Sequence, residues 1–156
     1  MEAEAPDTTA ARPNDAELRS STHRHRVRFF ETDLMGIVHH ATYLTYFEAG
    51  RVDYLHKRGV RYADWAHAGI HLPVIEANLR YRKASKFDEW LDVTTKVGAL
   101  TRVTVRFEYV IRREAVVICE GFTLLACVGE DLAPKRFPSW VSEVFQSTER
   151  APSEWT

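Results

Sequence analysis

One long apolar helix followed by four stretches of period two is the feature that most limits how this chain can fold. Over about residues 43–58, Tyr43, Tyr46, Phe47, Gly50 and Tyr54 recur at helical spacing, as do Leu44, Phe47 and Leu55. Ala49 and Val52 widen the apolar surface beyond a single stripe, which predicts a helix wrapped by a sheet. Gly59 follows Lys57 and Arg58, where a left-handed C-terminal cap is expected. A shorter helix is predicted at about 61–67.

From residue 70 the period switches to two. Strands are predicted at about 71–82, around Leu72, Val74, Ile75 and Leu79, and at 89–98, where Leu91, Val93 and Val97 oppose Asp92, Thr94 and Lys96. In the stretch 101–113, Val103, Val105, Phe107, Tyr109 and Ile111 face one way, and Thr104, Arg106, Glu108 and Arg112 the other. The stretch 115–128 is apolar on both faces, as a central strand requires, and Arg112-Arg113-Glu114 marks a hairpin before it. With a strand over 24–31 ahead of the helix, the class is α+β: strand, long helix, four antiparallel strands.

A chain of 156 residues is long enough for one domain with its own core. Residues 1–22 offer little to bury and carry five acids against two bases, so a disordered acidic tail is expected there. The domain is expected over 23–148, with a short C-terminal tail at 149–156. A net charge of −1 argues against a broad nucleic-acid footprint. Cys119 and Cys127 lie eight residues apart in one extended stretch, beyond bonding reach. Two free thiols, no membrane-length apolar run and no secretory signal together predict a cytoplasmic protein.

Chemistry concentrates in residues 29–44, where alternating residues pass Asp33, turn at Gly36 and enter the helix. The first backbone N–H groups of a helix lack internal partners, so a carboxylate placed just ahead of them faces a ready-made oxyanion site. That pairing suits attack on a carbonyl. A turn carboxylate before glycine is the plainer alternative for Asp33. Thr42 is expected to cap the helix, and Tyr43 to reach the site.

The run Glu31-Thr32-Asp33, Gly36-Ile37-Val38, His40-Ala41-Thr42-Tyr43-Leu44 and Tyr46-Phe47-Glu48-Ala49-Gly50-Arg51 resembles the hotdog-fold acyl-CoA thioesterases of the 4-hydroxybenzoyl-CoA thioesterase and YbgC type. The likeness runs from about Arg26 to Pro138 and is specific in the N-terminal motif, whereas the later strands match only in pattern. It implies a long central helix wrapped by a five-stranded antiparallel sheet, and hydrolysis of acyl-CoA without cofactor or metal. It further implies that Asp33 is the catalytic carboxylate, as nucleophile or general base, and that the His40 N–H polarises the thioester carbonyl. Gly36, Val38 and Tyr43 would shape the substrate site. The basic run of Arg80, Arg82 and Lys83, with Lys86, suits the coenzyme A phosphates or, equally, serves as protective charges on a solvated strand edge. The resemblance also implies a homodimer or homotetramer, with the strand at 71–82 pairing across the subunit interface. The chain departs from many relatives in carrying Phe29 where a tyrosine is common, and Lys83-Ala84-Ser85 where a proline is common.

Other readings stay open. Glu48 is a rival carboxylate, expected to bond the backbone or Arg51 instead. His39-His40 suggests a metal pair, but adjacent histidines are expected to point apart, and no third-ligand spacing accompanies them. Trp65 and Trp90 line either an acyl pocket or the core. No Gly-x-Ser-x-Gly context or phosphate-cradling glycine loop is present. The functional alternatives are an acyl-carrier-protein thioesterase, a non-catalytic acyl-binding or scaffold subunit of a lipid or envelope complex, and a hotdog hydratase.

Overall fold

Four alternating stretches and a fifth from the N-terminus need one another's backbone groups, and they find them in a single antiparallel sheet. The computed structural model describes residues 19–149. The strands are β1 (Ser20–Arg26), β2 (Val74–Tyr81), β3 (Trp90–Leu100), β4 (Thr104–Arg113) and β5 (Val116–Ala126). Their order across the sheet is β1-β3-β4-β5-β2, which leaves β1 and β2 at the two edges. The helices are α1 (Thr42–His56), α2 (Tyr62–His67) and α3 (Ser139–Gln146).

Period two decides the inner face. Val105, Phe107, Tyr109 and Ile111 of β4 are all buried, while Val103 ahead of the strand is exposed. Against this face lies α1, packed on β1, β3 and β4 through Tyr43, Tyr46, Phe47, Gly50, Tyr54 and Leu55. Phe47 stacks on Tyr109 with ring centroids 4.2 Å apart, and Tyr54 meets Phe107 edge-on. The helix touches the sheet at Gly50, where an added Cβ would stand 2.5 Å from Thr95 Oγ1. The buried set is a single stripe: Leu44 is exposed, and Ala49 and Val52 are half-buried. The five-stranded sheet wraps the helix as expected, with Ala49 and Val52 at the margin of the covered surface and Leu44 outside it.

Three further differences have local causes. Strand β1 starts at Ser20, inside the stretch expected to be tail, because its polar residues pair with the β3 backbone rather than bury apolar surface. The rest of that predicted tail, residues 1–18, lies outside the described residues, as do residues 150–156 of the C-terminal one. Residues Phe29–Glu31 form a 3-10 turn instead of extending the strand, with the Glu31 carboxylate accepting the Arg28 N–H at 3.2 Å. Helix α3 is not among the elements expected from the sequence. Val141 and Phe145, four residues apart, bury it beneath Trp65, Phe107 and Phe137.

Arg58 ties the far end of α1 to both flanks, donating to Ser21 Oγ at 2.7 Å and to the Ser147 carbonyl at 2.9 Å. Burial pushes its guanidinium below the ordinary arginine value. No helix among the described residues is long and apolar enough to cross a membrane.

Candidate active site

Gly36 adopts a left-handed φ of 76°, which lets the chain reverse between Asp33 and Ile37. The reversal is closed by the Asp33 N–H donating to the Ile37 carbonyl at 2.9 Å and by an antiparallel bridge between Thr32 and Val38. One carboxylate oxygen of Asp33, Oδ1, accepts the Met35 N–H at 2.8 Å, so the side chain is fixed by its own turn. The loop is then pinned to the chain ahead of β3, where the Val38 N–H meets the Ser85 carbonyl at 2.8 Å.

The backbone leading into α1 is accounted for donor by donor. The His39 N–H goes to the Glu31 carbonyl, the Ala41 N–H to His39 Nδ1 and the Thr42 N–H to the His39 carbonyl. Among the described residues, no acceptor meets the His40 N–H. His40 and Asp33 line the same hollow of about 290 Å³, together with Met35, Ile37, Val38, Tyr43, Tyr81, Arg82, Lys83 and Ala84. Asp33 with its carboxylate and His40 with its unclaimed N–H thus border one partly apolar hollow, and these are the parts that attack on a carbonyl requires.

Each residue singled out from the sequence now has a place. Asp33, Val38, His40, Tyr43, Arg82 and Lys83 border the hollow, and Gly36 makes the turn behind it. Burial raises the Tyr43 phenol above its usual range, which keeps it protonated. Arg80 stands elsewhere, in a groove with Lys96, Arg106 and Glu108. Arg82 is already engaged, donating to Glu120 at 2.6 Å, whereas no acid among the described residues pairs with the Lys83 ammonium.

Thr42 does not cap α1: Ala41 holds that position, and the Thr42 hydroxyl reaches back to the Glu31 carbonyl at 3.4 Å. The rings of His39 and His40 do not point apart but stack at 4.1 Å, because His39 turns its Nδ1 onto the Ala41 N–H. Among the described residues they belong to no group of three side chains placed to hold a metal. Glu48 is exposed in a separate hollow with His23, Asp53 and His56, and Arg51 donates to the Tyr109 hydroxyl rather than to Glu48. Trp65 is core, whereas Trp90 is half-exposed beneath Arg24 and Arg26; neither borders the Asp33 hollow.

Sequence reasoning missed Tyr81. Its hydroxyl donates to the His40 carbonyl at 2.8 Å, and its ring meets Tyr43 edge-on at 5.6 Å. The available signal was its position inside the basic run Arg80-Tyr81-Arg82-Lys83, where strand alternation turns it away from Arg80.

Known thioesterases share this fold. A model of the thioesterase superfamily matches residues 35–120. The acyl-CoA thioesterase YbgC of Haemophilus influenzae is 30% identical over 124 residues, covering 77% of this chain and 90% of its own. The crystal structure of DHNA-CoA thioesterase from Staphylococcus aureus is 34% identical, with a TM-score of 0.77 over 81% of this chain and 89% of its own. The 4-hydroxybenzoyl-CoA thioesterase of Pseudomonas sp. strain CBS-3, at 20% identity, shares the fold with a TM-score of 0.73 over 81% of this chain and 99% of its own.

Proposed function

Because the chain belongs to the thioesterase superfamily and is a thioester hydrolase of hotdog fold, we propose that it cleaves acyl-CoA to free acid and coenzyme A using Asp33 and the His40 N–H. The observation that carries this reading is the unclaimed His40 N–H on the same hollow as the Asp33 carboxylate. With the thioester carbonyl oxygen on that N–H, negative charge developing there is stabilised; one such donor is typically worth about 3–4 kcal/mol of barrier. Asp33 acts from the other side. It either takes a proton from an attacking water or attacks the carbonyl carbon itself, giving an anhydride that water then opens. On both routes the carbon–sulfur bond breaks and the thiolate leaves. Tyr81 holds the backbone at His40, and Gly36, Val38 and Tyr43 set the shape around the acyl group. Lys83, with Arg82 beside it, faces the coenzyme A phosphates.

The working unit in this reading is a homodimer. Edge strand β2 leaves Val74 and Ile75 exposed, and Phe29, Phe30, Leu34 and Met35 of the site loop are exposed as well. The open outer edge of such a strand is a template for pairing, and a two-fold copy would cover it.

The test is thiol release from short, long and aromatic acyl-CoAs, with wild type beside Asp33→Asn. Turnover that falls by about 10²–10⁴-fold in the variant supports the reading. Full turnover in Asp33→Asn overturns the role of Asp33. An inert wild type on every CoA ester overturns acyl-CoA as the substrate and directs the assay to carrier-protein thioesters.

A further inference from the structure

Glu31 opens the motif that carries Asp33, yet nothing in the reaction as drawn uses it. Among the described residues it is the one buried acid, 6% exposed, and three donors converge on its carboxylate. His25 Nε2 of β1 donates at 2.9 Å, the Arg28 N–H at 3.2 Å, and the Tyr46 hydroxyl of α1 completes the set. Burial, then the bond to Glu31, raises the Tyr46 phenol far above its usual range, so it stays a donor. The His25 and Tyr46 rings also pack together at 4.7 Å. A buried carboxylate with every donor in place is rigid, because moving it would strand a charge away from water.

The backbone of the same residue holds the two halves of the site. The Glu31 carbonyl accepts the His39 N–H at 2.9 Å, one residue before His40, and the Thr42 hydroxyl at the first turn of α1. Asp33 follows two residues after Glu31. The carboxylate is therefore anchored to β1 and α1, while the peptide it anchors spaces Asp33 from the His40 N–H.

We infer that Glu31 is a positioning residue for the thioesterase site: the His25–Glu31–Tyr46 cluster sets the separation of Asp33 from the oxyanion donor. This rests on the roles proposed above for Asp33 and His40. The alternative is a carboxylate that serves stability alone, and the two differ in what its removal changes.

In Glu31→Ala, kcat on the best acyl-CoA is expected to fall about 100-fold, the scale of a site misplaced by roughly 1 Å, with KM little changed. Glu31→Gln keeps an acceptor and the side-chain length, and is expected to restore kcat to within about 3-fold of wild type. Added to Asp33→Asn, Glu31→Ala should cost nothing more, since positioning an absent base has no effect. Amide hydrogen exchange tests the inference without substrate: residues 32–42 should exchange faster in Glu31→Ala while β3–β5 keep their protection. A folded Glu31→Ala with unchanged kcat, or exchange that rises across the whole sheet, overturns the inference. If Glu31→Ala does not fold, Tyr46→Phe removes one donor and keeps the ring, and the same local rise in exchange decides. Full activity in Asp33→Asn would instead sink the proposed chemistry, while the exchange result would still judge the anchor.

Discussion

The site loop over residues 29–42 and the face of β4 under α1 are organised by opposite means. In the loop, Phe29, Phe30, Leu34 and Met35 are exposed, and the shape comes from backbone bonds such as Asp33 N–H to Ile37 and His39 N–H to Glu31. Beneath α1, Val105, Phe107, Tyr109 and Ile111 are shut away from water, and shape follows from packing. Hydrogen bonds are directional but add only about 1 kcal/mol each to stability. Fully burying one large apolar side chain contributes about 1.5–3 kcal/mol without fixing a direction. The loop can therefore hold a precise arrangement that contributes little to holding the fold, and the core does the reverse.

That contrast breaks most sharply at Asp33. Asp33→Asn, with its expected loss of about 10²–10⁴-fold in turnover, should leave the thermal midpoint nearly unchanged, read by calorimetry beside the thiol-release assay. A large fall in the midpoint would mean that the loop supports the fold after all. Phe107→Ala should show the opposite pattern. It opens a cavity among Tyr54, Tyr109 and Phe145 and is expected to cost about 3–5 kcal/mol in denaturant unfolding, with specific activity retained by the folded fraction.

A smaller effect is expected at Gly50. Alanine there gains about 1 kcal/mol of helix propensity, but its Cβ would stand 2.5 Å from Thr95 Oγ1 and 2.8 Å from Val93. Overpacking of that kind costs about 1–3 kcal/mol, so Gly50→Ala should be net destabilising by urea titration. Least perturbing is a probe of the core as it stands. Cys119 and Cys127 are fully buried, and burial pushes the Cys119 thiol up to about 12. Neither should react with Ellman's reagent at pH 8 until the protein is unfolded, when both should. Prompt labelling of the native protein would show that the core opens as readily as the loop.

How far the sequence could be read follows the same division. Helix α1 and strands β2–β5 were legible because their periods are local, and Gly36 and Gly59 marked reversals that occur at left-handed φ. Strand β1 begins earlier than its sequence suggests, because polar residues 20–22 have no apolar alternation to reveal pairing with β3. Helix α3 escaped because eight residues with Val141 and Phe145 buried give too little periodicity. Around the candidate site, Asp33 and His40 stand only seven positions apart in one local motif, whereas Tyr81 reaches the His40 carbonyl across 41 residues.

The sequence by itself determined the long helix, the alternating strands and their order, and the spacing of Asp33, Gly36 and His40, because period and turn chemistry are set by near neighbours. Only the tertiary structure decided that β2 lies at an edge, that Tyr81 holds the His40 backbone while Arg80 stands apart, and that His25 and Tyr46 converge on Glu31. Those outcomes depend on strand order, register and the seating of α1 on the sheet. No local pattern encodes them, since each joins residues that the chain brings together only after the core has formed.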